Sequence, residues 1–218
     1  MVDTWADTTS KRFADRRAAG RLLAERLREM QIDAPVVVAL PRGGVPVADE
    51  VARALDAPLD IALVRKLGAP RQPELGVGAL GEDGTVILDR ETIASLGVTQ
   101  REIEAVAERE AVELERRREL YRGDTPAIDV DGRTVILVDD GIATGVTTTA
   151  ACEVLRERGA KRVIVAVPVC ARAALERLGE QLGEVVCLQR PWRFGGVGAW
   201  YDDFTQTTDD EVVELLRR

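Results

Sequence analysis

The chain has 218 residues with 30 basic and 38 acidic side chains, and its net charge of −8 argues against a nucleic acid or an anionic membrane surface as the main partner. Its composition, 45% hydrophobic and 31% charged, is ordinary for one globular domain, and no apolar run approaches the ~20 residues of a membrane span. The three cysteines lack metal-ligand spacing, which predicts a reduced, cytoplasmic protein. The sequence contains no histidine, which excludes histidine-based triads and histidine-ligated metals.

Short apolar runs alternate with helical patterns in the first third of the sequence. The periodicity predicts helices over 13–30 and 45–55. It predicts buried strands over 36–40 and 60–66. The PRGG segment at 41–44 is a loop between the first strand and the second helix. Two prolines and two glycines predict a long, mobile loop over 67–76.

A hairpin and a long charged helix are predicted next. GVGAL and TVILD are joined by GEDG, which predicts a β-hairpin with Asp83 and Gly84 at its turn. Thr99 and Glu102 have the spacing of a capping box, so we expect a helix from here to Tyr121. Its thin apolar side consists of Ile103, Val106, Val112 and Leu114. We interpret it as a solvated connecting helix.

Strands and helices alternate at short intervals in the second half of the chain. The predicted strands are 134–139, 162–169 and 184–188, and the predicted helices are 147–158 and 171–179. Such alternation is typical of an α/β fold that has a mostly parallel sheet with helices on both faces.

The sequence VILVDDGIATGVTTT combines two kinds of binding group at the end of one predicted strand. Asp139 and Asp140 come at the carboxyl end of that strand, where ligands bind in parallel sheets. Two adjacent carboxylates need compensation, which ribose hydroxyls or a metal would supply. The following loop offers backbone N–H groups, threonine hydroxyls and a helix N-terminus, a combination that binds phosphate. These residues indicate a ribose 5-phosphate as the ligand; the alternative is an ordinary tight turn before a threonine-capped helix.

This motif resembles the binding motif of type I phosphoribosyltransferases for phosphoribosyl pyrophosphate (PRPP). The apolar run, the paired acids and the threonine loop all match, whereas the Gly-Lys-Ser/Thr of a Walker A loop is missing. The resemblance implies the type I phosphoribosyltransferase fold, with a small hood formed by inserted and C-terminal segments. It implies these PRPP-binding residues: Asp139, Asp140, Gly141, Ala143, Thr144, Gly145, Val146 and Thr147.

A second segment, LPRGG, resembles the pyrophosphate loop of the same family. It follows the first predicted strand, as the loop does in the family. Arg42 and the N–H groups of Gly43 and Gly44 would hold pyrophosphate. The family often has a non-proline cis peptide bond in this loop, which here would join Pro41 to Arg42.

A third segment, VRKLGAP, resembles the start of the flexible catalytic loop of the family. Arg65 and Lys66 would approach pyrophosphate as this loop closes. The alternative is that both residues are a solvated strand end. The two other matches, which come in the family's order, favour the catalytic interpretation.

The C-terminal sequence RFGGVGAWYDD resembles the base-binding and metal-binding segment of hypoxanthine-guanine phosphoribosyltransferases. The resemblance implies that Phe194 or Trp192 stacks on the base. It also implies a Mg²⁺ ion near Asp202, although one inserted residue makes Asp203 a rival. The implied metal residues are Asp202, Asp139 and Asp140. A core or dimer contact is the preferred interpretation for Trp200, Tyr201 and Phe204.

The chain departs from the purine enzymes at the acceptor site. Hypoxanthine-type enzymes have an acid, their presumed base, where this chain has Ala143. They read a 6-oxopurine with a lysine that would fall near 167–170, and no lysine is present there. Both departures make guanine and hypoxanthine less favoured acceptors. Glu74, in the predicted mobile loop, is a substitute candidate for the base.

The resemblance implies one phosphoribosyltransferase domain over 1–218. The expected core covers about 30–66 and 130–190, and a flexible loop with a hairpin covers 67–90. A helical insertion is expected at 91–125 and a hood at 190–218. The implied activity is Mg²⁺-dependent transfer of the 5-phosphoribosyl group from PRPP to a purine or other nitrogenous acceptor, as in purine salvage. We expect a homodimer with no nucleic-acid or membrane partner. The alternatives are a non-catalytic PRPP sensor and a hydrolase of a phosphorylated ribose compound.

Overall fold

A computed structural model describes residues 11–217, except for the side chains of residues 74, 178 and 180. The helices are α1 (Arg16–Arg28), α2 (Gly44–Leu55), α3 (Arg90–Leu96), α4 (Gln100–Tyr121), α5 (Val146–Glu157), α6 (Arg172–Leu182) and α7 (Asp209–Leu216). The strands are β1 (Val36–Ala39), β2 (Leu59–Ile61), β3 (Val64–Ala69), β4 (Gln72–Gly81), β5 (Val86–Leu88), β6 (Thr134–Val138), β7 (Arg162–Val169) and β8 (Glu184–Gln189). No helix in this part of the chain is long and apolar enough to span a membrane.

The larger sheet is entirely parallel, with the strand order β2-β1-β6-β7-β8. The inner strands β1, β6 and β7 are almost entirely apolar because successive side chains point to opposite faces and both faces of the sheet are covered. One core joins Val37 and Ile136 to α1 and α2. The other joins Val36 and Leu137 to α5 and α6. The prediction of a mostly parallel sheet with helices on both faces is confirmed.

Side-chain caps set where several helices begin. The carboxylate of Asp15 accepts a hydrogen bond from the N–H of Ala18, so α1 begins after Asp15, later than predicted. The predicted capping box at the start of α4 is confirmed. Helix α3, which lies mostly within the predicted helical insertion, begins after the cap Asp89, and α7, which the sequence analysis did not predict, begins after the cap Thr208.

The predicted strand over 60–66 is wrong because the chain changes sheets within it. β2 ends at Ile61 in the parallel sheet, and β3 begins in the three-stranded antiparallel sheet β3-β4-β5. Arg122, at the end of α4, fixes this corner by donating hydrogen bonds to Asp60, Glu82 and the carbonyl oxygen of Ile61. The guanidinium is buried, and the two buried carboxylates compensate its charge.

The prediction of a long, mobile loop over 67–76 is also wrong, since most of this segment belongs to the paired strands β3 and β4. These strands pair antiparallel, with register shifts on both sides of Gly68. A Cβ on Gly68 would lie 2.4 Å from the carbonyl oxygen of Pro73, so only glycine allows the two strands to approach this closely. The predicted hairpin with its turn at Asp83 and Gly84 is confirmed as β4–β5.

Helix α4 packs against β3 and β4. It buries Ile103, Val106 and Leu114, as expected, whereas Val112 is exposed. Tyr121, near its end, is also buried and donates a hydrogen bond to a carboxylate at the start of α7. The interpretation of α4 as a solvated connector is therefore wrong, because the helix is part of the packed structure.

Candidate functional site

Two adjacent carboxylates lie directly after β6, at its carboxyl end. Asp139 Oδ1 accepts a hydrogen bond from the N–H of Asp140 at 2.8 Å. Burial raises the pKa of both carboxyl groups, and the charge of Asp140 raises the pKa of Asp139 further. Ionising this pair therefore costs the unliganded fold free energy, and a ligand or cation that satisfies the oxygen atoms would recover it.

Arg16, in the first turn of α1, compensates Asp140 and was not predicted from the sequence. Its Nε and Nη2 atoms each lie 2.9 Å from Asp140 Oδ2, and the two side chains are 11% and 14% exposed. The charge and hydrogen bonds of Arg16 oppose the effect of burial on the pKa of Asp140. No local pattern marks this arginine, because its partner lies 124 residues later. Asp139 makes no ion pair within residues 11–217.

The C-terminal segment covers Arg16. The guanidinium carbon lies 3.9 Å from the centroid of the Phe204 ring, and Nη1 donates a hydrogen bond to the carbonyl oxygen of Thr205 at 2.8 Å. The hydroxyl of Tyr201 donates to the carbonyl oxygen of Asp140 at 2.6 Å. Tyr201 is buried, in agreement with the interpretation of this aromatic as a core contact. The hood segment thus supports the paired acids from outside the sheet.

The predicted pyrophosphate loop packs directly against the paired acids. A Cβ on Gly43 would lie 2.0 Å from Asp140 Oδ2, and one on Gly44 would lie 2.7 Å from a backbone carbonyl oxygen of β6. Close approach, and not an unusual backbone angle, therefore requires glycine at both positions. The peptide bond between Pro41 and Arg42 is cis, as the resemblance implies.

The threonine loop leads into the N-terminus of α5. Gly145 is the N-cap residue and has φ of 74°, a conformation that favours glycine. The first turn of α5 contains no acidic side chain, so the helix dipole and the N–H groups favour an anion here. A Cβ on Gly141 would lie 2.7 Å from the side chain of Val197, which fixes the loop against the hood. The exposed residues of the loop are Ala143, Thr144, Val146 and Thr147.

A cavity of about 470 Å³ lies between β3 and α4. Pro41 and Thr147 also line it, so it adjoins both the pyrophosphate loop and the threonine loop. Its charged lining, which we call the basic cavity, consists of Arg65, Lys66, Arg109, Arg117 and Glu110.

The structure brings two of the three predicted catalytic cations, Arg65 and Lys66, to the basic cavity, whereas the third, Arg42, does not line it. Arg65 pairs there with Glu110 at 2.6 Å. The sequence analysis missed Arg109 and Arg117, which it placed on a solvated helix. Their signal was the helical spacing, since Arg109 lies three residues after buried Val106 and Arg117 lies three residues after buried Leu114, and positions three residues apart share a helix face. Arg42 lies elsewhere, with one guanidinium nitrogen 3.6 Å from a carboxylate oxygen at the start of α7.

The predicted acceptor-binding aromatics do not line the basic cavity. Trp192 is 70% exposed, and the guanidinium carbon of Arg172 lies 3.6 Å from the centroid of its ring. Phe194 is partly buried and packs against two apolar clusters, one of them formed around Trp200. Glu74 lies in β4, and its side chain falls outside the described part of the structure.

The paired acids offer part of a Mg²⁺ site. Within residues 11–217, no three acidic, cysteine or histidine side chains are arranged to hold a metal ion. Asp202 is exposed, with Arg12 3.9 Å from its carboxylate, and Asp203 accepts hydrogen bonds from Thr205. Neither joins the paired acids. Two carboxylates still suit Mg²⁺, which keeps several waters and takes phosphate oxygens of a bound ligand.

Comparison with known proteins decides the family. The family described as phosphoribosyl transferase domain matches residues 11–203. The chain belongs to the phosphoribosyl transferase family. Curated relatives from two strains of Mycobacterium tuberculosis are named as candidate phosphoribosyl transferases. They are 49% identical to this chain over 208 residues, which are 95% of this chain and 47% of each relative. The chain therefore spans about half the length of these relatives.

Two further proteins are similar to this chain in structure or in sequence. A crystal structure of a protein from Thermus thermophilus is 47% identical, with a TM-score of 0.86, and the match covers 94% of this chain and 97% of that one. A ribose-phosphate pyrophosphokinase from Pyrococcus furiosus is 47% identical over 60 residues, which are 27% of this chain and 22% of that protein. The resemblance that the PRPP motif carried is thus confirmed.

The contact between Gly43 and Asp140 gives a first prediction. Gly43→Ala should lower the free energy of unfolding by about 1–3 kcal/mol, because the added methyl group overpacks the acid pair. Gly179→Ala in α6 is the matched control, since no atom lies within 4 Å of the added Cβ; it should stabilise by up to about 1 kcal/mol. Urea unfolding measures both. Equal effects would contradict the close packing of the loop on the acids.

Arg16 gives a second prediction. Arg16→Ala should destabilise the protein by about 2–4 kcal/mol at neutral pH, because it leaves a buried carboxylate without its counter-charge. The loss should shrink as the pH falls and the acids take up protons. Arg12→Ala is the control: its ion pair is exposed, so unfolding should change by less than about 0.5 kcal/mol. If denaturant titrations give the two variants the same free energy of unfolding, Arg16 does not compensate the charge of Asp140.

The pKa of Asp139 gives a third prediction. Because this pKa is raised in the folded chain, the associated stability is fully present below the ordinary value of 3.8 and is lost as the pH rises through the folded-state value. Asp139→Asn keeps the acceptor for the neighbouring N–H and removes the charge. This substitution should raise the free energy of unfolding by about 0.5–2 kcal/mol at neutral pH and should leave it almost unchanged at a pH near the ordinary pKa. Urea unfolding against pH measures this; a less stable variant at neutral pH would contradict it.

Proposed function

We propose that this chain catalyses Mg²⁺-dependent transfer of the 5-phosphoribosyl group from PRPP to a nitrogenous acceptor, with release of pyrophosphate. The observation that carries the proposal is the contact between the pyrophosphate loop and the paired acids, where Gly43 has no room for a Cβ beside Asp140. The groups suited to the leaving pyrophosphate and those suited to the ribose are therefore neighbours. Membership of the phosphoribosyl transferase family supports the same activity.

Each part of PRPP has a matching group in this proposal. The ribose hydroxyls O2 and O3 donate hydrogen bonds to Asp139 and Asp140, which supplies the compensation that two buried carboxylates need. The N–H groups and hydroxyls of 144–147 hold the 5-phosphate at the start of α5. Arg42 and the N–H groups of the glycines beside it hold the pyrophosphate.

The proposed catalysis consists of positioning and charge placement. As the bond between ribose C1 and pyrophosphate breaks, positive charge develops on the sugar and negative charge on the leaving group. In this proposal the paired acids face the sugar, and Arg65 and Lys66, which line the adjoining cavity, face the leaving group. Mg²⁺, when held by the acids and by PRPP oxygens, supplies further neutralisation of the pyrophosphate.

The acceptor in this proposal is a purine or another nucleobase-like compound that binds near Trp192 or Phe194. Ala143 is exposed and offers no carboxylate to an acceptor proton, which disfavours hypoxanthine and guanine. Glu74 stays the proposed substitute base. The proposed assembly is a homodimer that serves purine salvage.

A non-catalytic PRPP sensor is the second candidate. The observation that favours it is the pairing of β3 with β4, which replaces the closing loop expected of an enzyme. In addition, Arg65 already pairs with Glu110, so a bound anion would have to compete with that carboxylate. A sensor would bind PRPP with the same acids and threonine loop but release no pyrophosphate.

Release of pyrophosphate separates these functions. The protein is incubated with PRPP, Mg²⁺ and a panel of nucleobases, and pyrophosphate is measured. Release that depends on a base supports the transferase. Release without a base shows a hydrolase, and binding without turnover shows a sensor; either result contradicts the proposed transfer.

Removal of the paired acids gives the prediction for binding. Asp139→Asn with Asp140→Asn should weaken PRPP binding by about 2–4 kcal/mol, because charged hydrogen-bond acceptors are lost. Asp33→Asn with Asp124→Asn removes the same charge from exposed positions and should change PRPP binding little. Calorimetric titration with PRPP and Mg²⁺ measures both. Unchanged affinity in the first variant would remove the acids from the site.

A further inference from the structure

The basic cavity concentrates positive charge in an acidic protein. Arg65 and Lys66 reach it from β3, and Arg109 and Arg117 reach it from α4. Glu110 is the one carboxylate in its lining among the described residues. The whole chain has a net charge of −8, so the cavity reverses the local sign of the protein. Like charges gathered in one cavity cost free energy unless an anion compensates them.

Neighbouring carboxylates do not balance the α4 arginines. Arg117 donates to Glu113 at 2.8 Å, but the same carboxylate accepts two hydrogen bonds from Arg116. One negative charge is thus shared between two guanidinium groups. Arg109 makes no ion pair within the described part of the chain. Positive charge therefore remains on the α4 side of the cavity.

Helix α4 is held in place without any ligand. Val106 and Leu114, on the side that lines the cavity, are buried in the main core. Arg122, directly after the helix, is fixed by two buried carboxylates. The backbone that carries the two arginines is therefore anchored at the sheet, and only their side chains have to move toward an anion. Such preorganisation lowers the entropy cost of binding.

We propose that Arg109 and Arg117 of α4, opposite Arg65 and Lys66, form a binding site for a small anion that carries phosphate or carboxylate groups. Neither paired acid lines this site, and the cavity meets the threonine loop at Thr147. The anion has two sources, the departing pyrophosphate or an acidic group of the acceptor. Only this choice of source rests on the proposed transfer; the binding site itself does not.

Inorganic pyrophosphate and ribose 5-phosphate are the probes, titrated separately into the whole chain by calorimetry. Arg109→Ala with Arg117→Ala should weaken pyrophosphate binding at least about tenfold and change ribose 5-phosphate binding less than about twofold. Asp139→Asn with Asp140→Asn should do the reverse. No pyrophosphate binding by the unaltered chain at millimolar concentration, or equal losses of both probes in the arginine variant, would overturn the proposal.

Two further variants guard against a general effect of charge or folding. Arg101→Ala with Arg118→Ala removes the same charge from positions of α4 that do not line the cavity, and should leave pyrophosphate binding within about twofold. Glu110→Gln should tighten pyrophosphate binding about threefold, because it removes the carboxylate that competes for Arg65. A gain cannot result from misfolding. Weaker binding in Glu110→Gln, or a tenfold loss in the control, would contradict the site.

Competition identifies the source of the anion. If pyrophosphate and PRPP exclude one another, the site receives the leaving group; if both bind together, it receives an acidic group of the acceptor. Failure of the proposed function has a different signature. No base-dependent pyrophosphate release, together with pyrophosphate binding that depends on Arg109 and Arg117, would reject the transfer and keep the anion site.

Discussion

The burial of two adjacent carboxylates at the end of β6 is the constraint on which the arrangement of the site depends. Desolvation raises the pKa of both Asp139 and Asp140, so the fold tolerates them only with compensation. Arg16 provides part of it, and its position requires α1 to pack beside the sheet end. Phe204 and the carbonyl oxygen of Thr205 then hold the guanidinium from the other side. Helix α1 and the segment 201–205 therefore meet at the acids.

Arg16 compensates only one of the two acids, which leaves the other able to gain free energy from a bound ligand. A guanidinium on Asp140 leaves Asp139 with a backbone N–H as its hydrogen-bond partner and no ion pair in the described residues. A fully paired acid would have little to gain from a ligand, since binding would exchange one partner for another. An acid that is costly to bury gains from each hydroxyl or cation that reaches it. The free energy that the fold loses by burying this acid can thus be recovered when a ligand binds.

The sequence predicted the parallel half of the fold because its signals are local. Apolar runs of a few residues, the capping box of α4 and the acids after β6 can all be read within one element. The contact of Arg16 with Asp140 could not be predicted, since it joins residues far apart in the chain. The β3–β4 pair was missed because its glycines and prolines, which usually indicate a loop, here permit a bulged and closely packed strand pair.

The site divides into regions of opposite charge, and this division connects the fold to the proposed chemistry. Acids lie at the end of β6, where the ribose is placed in the proposal, and basic side chains of β3 and α4 surround the adjoining cavity. A reaction that separates a cationic sugar from an anionic leaving group is favoured by such a gradient, because each developing charge meets its opposite. The net acidity of the chain sharpens the contrast. In this proposal helix α4, which contains no residue of the PRPP motif, supplies basic side chains to the part of the site that receives the anion.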